Sequence, residues 1–148
     1  MRKVLFVCTH NSARSQMAEG FLRHLGGDRF EVLSAGTEPG FLHPLAIRVM
    51  AELGIDISKQ FSKSLDRFLG EAFDFVITVC DQARETCPVF PRAARQLHWS
   101  FPDPSAVEGS EKERLEVFRR VRDEIAVCVR RFASQQAVSE GTAMEQPS

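Results

Sequence analysis

The 148-residue chain has the length of one ordinary domain, and its 43 % hydrophobic and 26 % charged residues are the balance of a folded globular protein. A formal net charge of −1 excludes a general affinity for nucleic acid or anionic membrane, since both call for a basic excess. No apolar run reaches the length needed to span a bilayer.

Val4-Leu5-Phe6-Val7 is a continuous apolar run that stops at Cys8-Thr9-His10-Asn11 without a small-residue cleavage site. It reads as a buried first strand rather than a leader. From Ser15, Met17, Phe21 and Leu25 recur at helical spacing, and Gly26-Gly27 ends the pattern. Phe30 to Ser34 reads as a second strand, stopped by Ala35-Gly36. His43-Pro44 opens a second helix, with Leu45, Val49 and Leu53 on its inner stripe and Gly54 in a left-handed cap. A further helical turn is expected within 64–70.

Phe73 to Val79 is a third strand, and Arg95 to Trp99 a weaker fourth that belongs at a sheet edge. A last helix runs from Glu111 to Phe132, with Leu115, Phe118, Val121, Ile125, Cys128 and Phe132 on its buried stripe. Beyond it, 134–148 is polar and aperiodic and reads as a disordered tail. Alternating β and α patterns predict one α/β domain, residues 1–133, with a mostly parallel sheet.

Four cysteines occur, at 8, 80, 87 and 128. Nothing marks the chain for export, so the cytoplasm is the expected compartment. In a reducing compartment the roles to weigh are catalysis, redox exchange, metal binding and burial. Cys128 falls on a helix stripe and reads as core.

The turn Cys8-Thr9-His10-Asn11-Ser12-Ala13-Arg14-Ser15 lies between a strand and a helix N-terminus. Such a turn aims several backbone N–H groups at one point and makes an anion nest. Arg14 adds a planar clamp suited to a tetrahedral oxyanion. Cys8 sits at the base, where the same field favours a thiolate positioned for attack. Ser15 is placed to donate to that thiolate, and Asn11 to hold the loop. A cysteine ending a buried strand is usually plain core, and Cys-x5-Arg is only moderately specific. The strand-to-helix placement, with Asn11 and Ser15 present, favours chemistry.

Cys8 through Glu19, Ser34-Ala35-Gly36-Thr37 and Asp103-Pro104 together resemble the low-molecular-weight protein tyrosine phosphatases and the arsenate reductases that share their fold. The resemblance covers about residues 3–133. It implies a three-layer domain around a four-stranded parallel sheet in the order 2-1-3-4, with Asp103 as the general acid. On its own residues, Asp103 between two prolines is ordinary turn chemistry.

Cys80 ends the third strand as Cys8 ends the first, and Cys87-Pro88 follows seven residues on. If the two strands are neighbours, both sulfurs lie at one sheet edge. This spacing, with His98-Trp99, is similar to the thioredoxin-coupled arsenate reductases. The resemblance implies that Cys8 attacks arsenate, Cys80 attacks Cys8, Cys87 attacks Cys80, and reduced thioredoxin regenerates the enzyme. No bound cofactor, no metal and a monomer are expected of this chain, with phosphate or sulfate as other occupants of the loop. Were 80–87 helical, the two cysteines would stand about 10.5 Å apart along the axis, so the segment would have to unwind on oxidation.

Other readings stay open. A phosphatase using a Cys8 phospho-enzyme is one, although the chain has no tyrosine and Asp103-Pro104 is followed by Ser105-Ala106-Val107. A glutathione- or mycothiol-linked reductase, a non-catalytic anion sensor and a zinc site are others, the last weak at this spacing. Some reductases of the family hold potassium with residues matching Asn11, Glu19 and Ser34. Lys63 stands where they supply an aspartate, and two readings are open: an ammonium that pairs with Glu19 in place of the ion, or a solvated surface lysine. His10 replaces a loop glycine as a tolerated change. His24, His43, Arg84 and Arg92 have ordinary surface explanations.

Overall fold

Strand β1 (Arg2–Cys8) is the second strand of a four-stranded sheet, paired in parallel with β2 (Phe30–Gly36) on one side and β3 (Phe73–Thr78) on the other. Strand β4 (Ala93–His98) adds in parallel to β3, giving the order β2-β1-β3-β4. This computed structural model describes residues 1–142. Val4 to Val7 are completely buried, as a run covered on both faces requires. β4 lies at the edge and exposes Arg95 and Gln96.

The sheet is flanked by α1 (Arg14–Gly26), α2 (Pro44–Ala51), α3 (Asp81–Thr86) and α4 (Glu111–Thr142). α1 packs on β1, β2 and α4, while α3 lies against β1 and β3. Phe132 of α4 closes one end of the core, its ring 5.0 Å from Phe75, 5.7 Å from Trp99 and 5.9 Å from Phe30. Burying each such side chain stabilises the fold by about 1.5–3 kcal/mol. The short 3-10 turn Leu65–Phe68 is the helical turn expected within 64–70. Among the described residues no helix is long and apolar enough to cross a membrane.

Several details differ from the sequence reading. Leu25 and Leu53 are surface residues, and Leu22 and Met50 fill the core in their place. α2 stops at Ala51, and the chain turns through Gly54 at φ +76°, leaving Leu53 off the helix stripe. On α4, Val129 continues the buried line from Ile125, and Cys128 is half-buried beside it. β3 ends at Thr78, although Val79 N–H still donates to Val7 C=O at 2.9 Å.

α4 also continues past Phe132 to Thr142. Intrahelical hydrogen bonding needs no apolar face, and Ala133, Gln135 and Gln136 are compatible with it, so the lack of periodicity did not mark the helix end. The remainder of the expected disordered tail, 143–148, lies outside the described residues.

Candidate active site

Two neighbouring parallel strands deliver the thiols to one edge. β1 releases the chain at Cys8, whose neighbour Val7 pairs with Thr78 of β3. Two residues after Thr78 comes Cys80, directly before α3. All four cysteines are free thiols, with Cys8 and Cys80 buried and Cys87 half-buried.

The 8–15 loop turns its carbonyl groups outward. Cys8 C=O accepts from Thr37 N–H, Thr9 C=O from Glu38 N–H, His10 C=O from Gly40 N–H and Ser12 C=O from His43 N–H. Asn11 C=O accepts from the Gln16 amide at 2.9 Å. With the carbonyls engaged, the N–H groups of the turn and of the first turn of α1 are the groups left to meet an anion. Gly36 lets β2 pass close by: a Cβ there would stand 2.7 Å from Thr9 C=O.

Asn11 is the loop's buried tie. It takes φ +50°, a conformation Asn adopts more readily than most residues. Its Oδ1 accepts from Lys63 N–H at 2.9 Å, and its Nδ2 donates to Ser15 Oγ at 2.8 Å and Ser34 Oγ at 2.9 Å. Because Ser15 Oγ accepts from Asn11, its own proton is free to point at Cys8 Sγ, 2.9 Å away.

Arg14 and Asp103 face each other across the mouth. Arg14 donates to Phe101 C=O at 3.0 Å, and its other terminal nitrogen is 3.7 Å from the Asp103 carboxylate. Asp103 caps the 3-10 turn Pro104–Ala106 by accepting from the backbone and hydroxyl of Ser105. Cys8, His10, Ser12, Ala13, Arg14, Asp103 and Ser105 line a cavity of about 20 Å³. That has room for one small ion. His10 itself is exposed and donates from Nδ1 to Glu38 C=O at 2.9 Å, a surface role consistent with a tolerated change.

The second sulfur is tied to the same loop, because Thr9 Oγ1 lies 3.3 Å from Cys80 Sγ and donates to Gln82 Oε1 at 3.3 Å. α3 then separates Cys80 from Cys87, with Arg84 N–H bonded to Cys80 C=O and Cys87 N–H to Ala83 C=O. Its start is fixed by His98, whose Nε2 donates to Asp81 Oδ1 at 2.9 Å while its Nδ1 is 2.7 Å from Thr78 Oγ1. The bond from His98 holds Asp81 below the usual carboxylate range. At the other end, burial pushes the Cys87 thiol up to about 11, and the thiol donates to Pro88 C=O.

Lys63 does not pair with Glu19. Glu19 is taken by Arg23 at 2.6 Å and accepts from Ser34 Oγ at 2.5 Å. The Lys63 ammonium instead donates to Phe61 C=O at 2.7 Å and lies 4.6 Å from the centre of the Phe61 ring. Arg23, one turn after Glu19, reaches the carboxylate first and leaves the lysine to a backbone carbonyl. Among the described residues, no cluster of three or more His, Cys, Asp or Glu side chains is placed to hold a metal ion.

Two groups escaped the sequence reading. His43 is not a plain surface histidine: it caps α2 by accepting from Leu45 N–H, with its ring 4.8 Å from Phe118. Its place directly before Pro44 was the available signal. Gln16 bridges Asn11 C=O and Phe61 C=O, and a glutamine inside a helix gave no signal at all. Arg84 is exposed and Arg92 donates to Gly70 C=O, so both are surface residues, as expected.

A cysteine under an arginine-clamped anion loop, on a 2-1-3-4 parallel sheet, defines a phosphatase-like class of protein. Residues 3–143 match the model of the low molecular weight phosphotyrosine protein phosphatase family, and the chain belongs to that family. Within it the similarity is to arsenate reductases. The chain is 48 % identical over 130 residues to the arsenate reductase of Shouchella clausii (strain KSM-K16), covering 88 % of this chain and 94 % of that protein. It superposes on an arsenate reductase solved in the phosphate binding state with a TM-score of 0.80 and 38 % identity, over 91 % of this chain and 98 % of that one. A thioredoxin-dependent arsenate reductase from Corynebacterium glutamicum matches with a TM-score of 0.74 and 33 % identity, over 94 % of this chain and 63 % of that one.

Proposed function

We propose that this protein reduces arsenate to arsenite through a Cys8–Cys80–Cys87 relay and is returned to its dithiol form by thioredoxin. The observation that carries the reading is Thr9, which directly follows the buried Cys8 and touches the buried Cys80, with a third thiol at the far end of α3. A phosphatase needs only the first. The similarity to arsenate reductases over nearly the whole catalytic domain supports the same choice.

The anion sits on the N–H groups of residues 9–15 with Arg14 across it. Cys8 thiolate attacks arsenic, and Asp103 gives a proton to the departing oxygen, leaving a Cys8–arsenate adduct. Cys80 thiolate then attacks Cys8 Sγ. The sulfur–arsenic bond breaks with its electron pair going to arsenic, so As(V) leaves as As(III) while Cys8 and Cys80 are oxidised to a disulfide. Cys87 thiolate attacks Cys80, releases Cys8 thiolate and moves the disulfide to 80–87. The dithiol of thioredoxin reduces that bond and is itself oxidised.

Residues 1–133 are the catalytic domain, acting as a monomer in the cytoplasm, with no bound cofactor or metal. Phosphate and sulfate compete for the loop because they share the shape and charge of arsenate. The lack of tyrosine favours an inorganic oxyanion over an aryl phosphate. The test is arsenate-dependent NADPH oxidation with thioredoxin and thioredoxin reductase, beside Cys8→Ser, Cys80→Ser and Cys87→Ser. Turnover lost in all three variants is expected. Turnover surviving in Cys87→Ser points to another thiol donor, and aryl phosphate hydrolysis without reduction moves the assignment to a phosphatase.

A further inference from the structure

A cavity of about 580 Å³ lies between α1, the segment 54–63 and the 3-10 turn Leu65–Phe68. It shares no lining residue with the small cavity over Cys8. The volume is that of a site for a small organic molecule.

Its surface is divided by chemistry. Leu33, Ile55, Phe61 and Phe68 supply apolar area, and Arg23, Lys59, Lys63 and Arg67 supply cations. Two carboxylates line it as well. Glu19 is already paired with Arg23, and Asp56 accepts from Ser58 N–H at 2.8 Å. Lys59, Lys63 and Arg67 have no ion pair among the described residues, so the cavity carries an excess of positive charge.

Lys63 is the telling group. It is only 7 % exposed, and its ammonium uses one of three donors on Phe61 C=O. Burial pushes it below the usual lysine value, the signature of a cation with too little compensation. Phe61 is 56 % exposed, with Lys63 4.6 Å and Arg67 5.8 Å from its ring centre. An aromatic ring and cations so placed meet a ligand's ring and its anion together.

We propose that this cavity binds a small aromatic anion, its ring on Leu33, Phe61 and Phe68 and its charged group on Lys63 and Arg67. This site is separate from the arsenate chemistry and stands whether or not that chemistry is as described. Its walls nevertheless hold the reactive loop. Lys63 N–H donates to Asn11 Oδ1, and Phe61 C=O also accepts from Gln16, which is bonded to Asn11 C=O. An occupant is therefore expected to perturb Asn11 as well as the cavity.

The test is a titration of the reduced full-length chain with 2-naphthoate, followed by calorimetry and by ¹H–¹⁵N NMR. The neutral 2-naphthamide, Arg67→Gln and Phe61→Ala serve as comparisons. Both substituted residues are exposed, so the fold is retained. The expected result is one saturable site with amide shifts at Gly20, Phe61, Lys63 and Asn11. Binding should weaken by roughly tenfold for the amide and for each variant, the scale of one lost charged or aromatic contact. No saturation, shifts centred on Ser12 to Ser15 without the cavity residues, or equal affinity for the neutral amide would overturn the proposal.

Discussion

Thr9 Oγ1 stands 3.3 Å from Cys80 Sγ, so the residue that follows the first thiol on the loop touches the second. Removing that hydroxyl leaves Cys80 without its contact to the Cys8 loop. Thr9→Val is expected to slow formation of the Cys8–Cys80 disulfide by about tenfold, the scale of one hydrogen bond in a barrier. Single-turnover quenching in a Cys87→Ser background measures this step alone. An unchanged rate would separate Thr9 from the relay.

Cys87 is held as a thiol, at about 11 against an ordinary 9.0, because burial disfavours its charged form. Near neutral pH its thiolate fraction is therefore on the order of a hundredfold below that of a free cysteine. In Cys8→Ser/Cys80→Ser, alkylation of Cys87 by iodoacetamide is expected to be slow at neutral pH and to rise steeply above about pH 9. The folded-state value is raised, so this burial contributes stability below 9.0 and loses it as pH climbs toward 11. Rapid alkylation at neutral pH in the native protein would show that α3 is already open.

α3 also keeps Cys80 and Cys87 too far apart for a disulfide, as its i→i−4 bonds set a rise of about 10.5 Å over seven residues. Oxidation to the 80–87 disulfide is expected to abolish amide protection at Arg84 and Cys87. Hydrogen exchange compared between the reduced protein and the oxidised Cys8→Ser variant decides it, and unchanged protection contradicts the relay geometry.

Asn11 satisfies Ser15, Ser34 and Lys63 from inside the protein while holding φ +50°. Asn11→Ala leaves the Lys63 N–H without its acceptor and keeps the unfavourable backbone angle, which is expected to cost about 2–4 kcal/mol. Urea unfolding measures the loss. Asn11→Gly, which relieves only the angle, should recover part of it.

His43 accepts from Leu45 N–H and is held below its ordinary value first by burial and then by Arg114, against an opposing pull from Asp103. The folded-state value is lowered, so the cap contributes stability above 6.5 and loses it as pH falls below. Urea unfolding at successive pH values should show this decline in the wild type and not in His43→Asn, where a non-titrating cap replaces it.

What the sequence determined by itself was the part governed by local rules. Continuous apolar runs read as buried strands, helical spacing placed most of the helices, and residues 8–15 announced an anion loop. Where the buried face was set by the packing of distant elements, the sequence misled: Leu25 and Leu53 fit a periodic stripe but face solvent, while Val129 is fully buried and Cys128 packs on the core only from its edge. The helix beyond Phe132 was missed because helical hydrogen bonds need no apolar pattern to continue.

The site divided in the same way. Cys8, Asn11, Arg14 and Ser15 were legible because their spacing on one turn fixes their mutual positions. That Thr9 touches Cys80, that Arg23 rather than Lys63 takes Glu19, and that Gln16 joins the loop to Phe61 were decided only in the tertiary structure. Each is a choice among several polar partners of similar reach, and only the packed distances rank them.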